Sequence, residues 1–249
     1  MRFYYISTII LLIYITTAIF FKHKFSFDVR DKKFANDQIT IVNHVKKHAG
    51  PKHFRKAGQE RDTTSQTILL IGDSMAYSLM FRLSNYCATN KHTLKTVTWV
   101  SASTKWYATY DTLSYYINMF KPTLVLFVIG SNELFVSDAL SRDIYVKHIL
   151  EKFNNIPNLW IGPPNWAEDT GINKVMMQHV GENKFFLSKK LKFERKTGDK
   201  AHPSRASASI WMDSIAVWIA HTSRYPIVLN KPELPDPEQV EYIKLNPLK

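Results

Sequence analysis

From Thr67 onward the chain alternates short apolar runs with amphipathic stretches, and no other feature restricts the possible folds as much. Runs of strand length lie at 68–71, 96–100, 124–129, 159–161 and 184–187. Helical periodicity occupies about 75–89, 109–120, 139–154, 172–180 and 205–220. Strands that alternate with helices are joined by crossovers, which build a parallel sheet with helices on both faces. The first and third runs are apolar without alternation, as strands buried on both sides require. One α/β domain with a five-stranded parallel sheet is therefore expected over 67–225. The remainder, 226–249, contains Pro226, Pro232, Pro235, Pro237 and Pro247 and reads as an irregular wrap or a loose end.

Two segments of different character precede this domain. Residues 3–21 are uncharged and rich in Ile, Leu, Phe and Tyr, and ~20 apolar residues suffice for a helix to cross a bilayer. The run closes with Ala18-Ile19-Phe20-Phe21-Lys22, bulky where a signal peptidase requires small residues. Residues 1–24 thus read as an uncleaved signal anchor forming one transmembrane helix. Residues 25–66 read as a basic stalk or linker. Between 22 and 61 there are 11 Lys/Arg and four acids, a net +7 out of +12 for the whole chain. Beside an apolar run, such charge suits anionic head groups or wall polymers. No interleaving of basic and aromatic residues of an RNA-binding type occurs, so nucleic acid is not an expected partner. Charge leaves the orientation open: Lys22, Lys24, Arg30, Lys32 and Lys33 favour a cytoplasmic domain, yet long domains are translocated regardless. The single cysteine, Cys87, excludes an intrachain disulfide and reads as a small buried hydrophobe; no Cys/His cluster has zinc spacing.

In open parallel sheets the chemistry sits beyond the carboxyl ends of the strands. Gly72-Asp73-Ser74-Met75 follows the first strand and places a hydroxyl at a helix start, although Asp and Ser are also common caps. Gly130-Ser131-Asn132-Glu133 follows the third, where the Asn132 amide either donates into the same cleft or caps the next helix. Asp199-Lys200-Ala201-His202-Pro203 precedes the last helix, with a carboxylate three residues from an imidazole. Trp106, Tyr107 and Trp166 follow strands and either surround the cleft mouth or fill the core. Trp211 and Trp218 share one face of the last helix and read as packing.

Ser after strand one, Asn after strand three and Asp-x-x-His before the final helix, in this order, resemble the SGNH hydrolase family of GDSL-like esterases, over residues 67 to 220 or so. The resemblance extends to the membrane-anchored, extracytoplasmic branch acting on acylated cell-envelope polysaccharides. It implies a flavodoxin-like three-layer α/β/α sandwich without cofactor or metal, a nucleophile at Ser74, a base at His202 and its carboxylate at Asp199. Asn132 and a backbone amide at Thr104 or Ser103 would complete the oxyanion hole. Two positions depart from the family pattern. The loop Ser101-Ala102-Ser103-Thr104 has no Gly, and Glu133 stands where Asp is usual. The implied activity is hydrolysis of acetyl or other short acyl esters on an envelope or dietary carbohydrate. An O-acyltransferase working beside a membrane acyl donor, or an inactive binding module, would use the same scaffold.

Overall fold

The computed structural model of the protein describes residues 60–248. They contain six strands: β1 (Thr67–Gly72), β2 (Thr93–Trp99), β3 (Leu124–Val128), β4 (Asn158–Ile161), β5 (Phe185–Phe186) and β6 (Ile243–Leu245). The strands form one sheet in the order β5-β4-β3-β1-β2-β6, and every pairing is parallel. The longer helices are α1 (Ser74–Thr89), α2 (Thr104–Thr109), α3 (Thr112–Phe120), α4 (Asp143–Lys152), α5 (Ile172–Val180) and α6 (Arg205–His221). Without β6 the strand order is the flavodoxin-like one, which reverses direction at β1 and opens a crevice there beyond the carboxyl ends of the strands.

Three layers follow from how β1 is buried. Ile68, Leu69, Leu70 and Ile71 are all 0% exposed. Leu69 and Ile71 join Val97, Phe127 and Trp160 under α2 to α5, while Ile68 and Leu70 join Leu126 and Leu159 under α1 and α6. Alternate residues of one strand thus serve two cores, which explains its unbroken apolar sequence.

The structure departs from the expected elements in several places. The sheet has six strands, not five. The sixth comes from the proline-rich tail, where Ile243 and Leu245 pack against the core under α2 to α5. Residues 226–248 are therefore integrated with the domain. Ile227 and Leu229 are buried, and Arg82 on α1 donates to the Pro232 carbonyl and pairs with Asp236. Asp62 and Gln66, at the end of the expected stalk, also join the fold: the Asp62 amide donates to Pro226 O, and the Gln66 amide to His92 Nδ1. The helix expected over 109–120 starts only at Thr112, because Tyr110 is extended, and a separate short helix, α2, precedes it. The expected transmembrane helix, and the stalk up to residue 59, lie outside the described residues. Among the described residues no helix is long and apolar enough to cross a membrane.

Candidate active site

β1 ends at Gly72 because nothing larger fits: a Cβ there would lie 1.9 Å from the Val128 carbonyl oxygen. This close approach lets the Asp73 amide donate to Val128 O, and the chain then turns directly into α1. Asp73 caps the helix, its Oδ1 accepting from the Met75 amide at 2.8 Å. Its Oδ2 accepts from the Ser131 amide at 3.1 Å, tying the turn after β1 to the turn after β3. Burial pushes this carboxyl up to about 7, against the pull of the Met75 and Ser131 amides. Ser74, half-buried, stands at the first position of α1, where backbone amides have no partner inside the helix.

A second buried carboxylate organises the other loops. Glu133, 1% exposed, accepts from the Thr104 amide at 2.7 Å and from the Thr104 hydroxyl at 2.8 Å. Arg142 Nε lies 3.0 Å from the same carboxylate. Burial raises the Glu133 carboxyl, opposed by these Thr104 bonds and by the Arg142 charge. Glu133 thus joins the loop after β3 to the loop after β2. Asn132 does the same beside it, donating one side-chain N–H to the Ala102 carbonyl at 2.9 Å.

Asp199 and His202 come from the loop ahead of α6, whose N-cap is Ser204. His202 O accepts from the Lys196 amide, and Lys196 O from the Asp199 amide. Asp199 Oδ1 accepts from the amides of Ala201 and His202 at 2.8 and 3.1 Å. Its Oδ2 lies 2.6 Å from His202 Nδ1. Partial burial alone would raise the Asp199 carboxyl; the two amides and the imidazole outweigh it and bring it down to about 2. An ionised carboxylate only accepts, so Nδ1 carries the proton and Nε2 is the free acceptor. Nε2 lies 2.8 Å from Ser74 Oγ, so the hydroxyl donates to the imidazole.

The structure therefore brings Ser74, His202 and Asp199 into one hydrogen-bonded chain. Of the two candidate backbone donors after β2, Thr104 is already bonded to Glu133. The Ser103 amide has no hydrogen-bond partner among the described residues, and neither has the Ser74 amide. One Asn132 N–H also remains available beside the bond to Ala102. Trp106, Tyr107 and Trp166 are not among the residues that line the cleft beside Ser74. Tyr107 is 0% exposed and its hydroxyl donates to Gly72 O. Trp106 packs on Trp99, and Trp166 Nε1 donates to Ser131. Trp211 lies in the core with its indole N–H on Ser188 Oγ, and Trp218 packs against the same core. Cys87 is buried, which pushes its thiol up to about 12.

A cleft of about 560 Å³ opens beside Ser74 and His202. Its walls include Tyr77, Ser78 and Phe81 of α1, Thr98 and Val100 at the end of β2, and Tyr242 and Lys244 of the tail. Tyr77, Ser78 and Phe81 lie three, four and seven residues after Ser74, so helical spacing alone could have placed them on the nucleophile's side of α1. Tyr242 had no such signal. Among the described residues no cluster of His, Cys, Asp and Glu could hold a metal ion.

No family model and no curated protein matches the chain. Among solved structures, one named as a lipolytic protein of the G-D-S-L family from Desulfitobacterium hafniense DCB-2 is similar at a TM-score of 0.45 and 13% identity. The similarity covers 61% of this chain and 98% of that one.

Proposed function

We propose that the protein is a serine esterase that removes acetyl or similarly short acyl groups from a carbohydrate. The observation that carries this reading is the chain from Ser74 Oγ to His202 Nε2 at 2.8 Å and from His202 Nδ1 to Asp199 Oδ2 at 2.6 Å. His202 takes the Ser74 proton as the serine oxygen attacks the ester carbonyl, and Asp199 holds the tautomer and stabilises the imidazolium that forms. The oxyanion is received by the Ser74 amide, the remaining Asn132 N–H and the Ser103 amide. Each such donor typically contributes about 2.7–4 kcal/mol to the barrier reduction. His202 returns the proton to the departing alcohol, an acyl-serine remains, and a water deprotonated by His202 releases the acid. The apolar run at 3–21 tethers this domain to a membrane, on the extracytoplasmic side, where acylated envelope polysaccharides would be in reach.

The test is hydrolysis of 4-nitrophenyl acetate by the full-length chain in nonionic detergent, wild type beside Ser74→Ala. Turnover is expected in the wild type and a loss of about 10⁴-fold or more in the variant. Equal turnover in both proteins would overturn the assignment of Ser74. Free acetate released from an acetylated oligosaccharide without a second sugar acceptor identifies hydrolysis rather than transfer.

A further inference from the structure

The cleft beside Ser74 carries an uncompensated positive charge. Lys196, Arg205 and Lys244 line it, and the only carboxylate among the lining residues is Asp199. That carboxylate is already occupied by His202 and by the amides of Ala201 and His202. Arg205 is pinned to the wall, its guanidinium 3.3 Å from the Phe81 ring centroid and donating to the Pro237 carbonyl. Lys196 and Lys244 are exposed and pair with no carboxylate among the described residues. Like charges converging on a concave site raise the local potential and favour a ligand of opposite sign.

Lys244 is held at the cleft by its strand. Val100 N donates to Leu245 O, and Trp99 Nε1 to Asn246 O, both at 3.0 Å, fixing β6 along β2. Ile243 and Leu245 turn to the core under α2 to α5, so Lys244, between them, turns to the opposite face, where the cleft lies. On that side Tyr242 meets Tyr77 at 5.3 Å between ring centroids, and Tyr77 is 43% exposed. An aromatic rim beside two unpaired ammonium groups matches a sugar ring that carries an acid group. A lipid would instead ask for a long apolar channel, and the lining here mixes hydroxyls and charges with the rings.

We infer that the cleft binds an anionic glycan, in which a carboxylate or phosphate of the sugar chain meets Lys196 and Lys244 while the acyl ester lies at Ser74. This rests on the esterase reading for the ester's place, but the glycan's binding can be measured without catalysis. The experiment is calorimetric titration of full-length Ser74→Ala with tetragalacturonate, with a glycerol-phosphate oligomer and with neutral xylotetraose. Either acidic oligomer is expected to bind about tenfold or more tightly than the neutral one, and to weaken as salt rises. The stronger of the two identifies the acid group. The double variant Lys196→Gln/Lys244→Gln should remove this preference, and Lys196→Arg/Lys244→Arg should restore it. Equal binding of neutral and acidic oligomers would overturn the inference, as would a preference that survives the Gln pair. Binding to phosphatidylglycerol vesicles through the same lysines, without binding of the oligomers, would also overturn it. Loss of turnover on 4-nitrophenyl acetate bears on the esterase reading alone and leaves this titration intact.

Discussion

Ser74 and His202 meet at 2.8 Å, yet the two are held in place by different means. Ser74 stands on a buried polar framework: Asp73 is 0% and Glu133 1% exposed, and their carboxylates join the loops after β1, β2 and β3. His202 and Asp199 stand on a surface loop, each side chain 33% exposed. Their bonds stay within that loop, apart from the contact with Ser74 and from Arg195, which donates to Ala201 O and to Asn165 O. A buried carboxylate that loses its amides, or amides that lose their carboxylate, leaves desolvated groups without partners. A surface imidazole that is removed leaves its place to water. Framework substitutions should therefore lower stability first, and loop substitutions should lower turnover first.

The largest effect that tests this contrast is His202→Ala. Turnover on 4-nitrophenyl acetate should fall about 10⁴-fold or more, while stability in a urea titration changes by less than ~0.5 kcal/mol. A large loss of stability would mean that the imidazole also holds its loop in place. Asp73→Asn comes next. Asparagine offers one acceptor where two amides need one each, and the expected loss is about 1–3 kcal/mol in the same titration. An unchanged midpoint would mean that the framework does not hold the loops together.

The smallest and sharpest effect is a pair of opposite pH dependences. Asp73 has a folded-state pKa raised from 3.8 to about 7 by burial. Its contribution to stability is full at low pH and lost as pH rises through 7, so the deficit of Asp73→Asn should narrow between about pH 4 and 7. Asp199 has a folded-state pKa of about 2, below the usual 3.8, because amide and imidazole bonds outweigh its desolvation. Its contribution is present above pH 4 or so and lost as pH falls toward 2, so the deficit of Asp199→Asn should vanish there. Urea titrations across pH would detect both trends, and the same sign for the two residues would contradict the account.

Much of this arrangement was legible in the sequence because it is local. Ser74 follows an apolar run by one turn, and Asp199 lies three residues before His202, so spacing alone put each group near a strand end or helix start. The apolar runs of β1 and β3 likewise announced strands buried on both faces. What escaped depends on distant partners. β6 is three residues long, follows a proline-rich stretch and pairs with a strand some 145 residues earlier in the chain, from Val97↔Ile243 to Trp99↔Leu245; a segment that short has no periodicity to read. Thr104 could not be separated from Ser103 without seeing Glu133, 29 residues away, accept its amide. For Trp106, Tyr107 and Trp166, position after a strand left cleft and core both open, and core packing and hydrogen bonds occupy them. Tyr77 and Tyr242, brought together by the tail, stand at the cleft instead.

The proposed chemistry requires His202 to activate Ser74. The most direct measurement is the intact mass of the full-length chain after reaction with a fluorophosphonate, followed by mapping of the modified residue. One adduct on Ser74 in the wild type, much slower in His202→Ala and absent in Ser74→Ala, is the predicted result. An adduct on another residue, or equal labelling rates with and without His202, would contradict it.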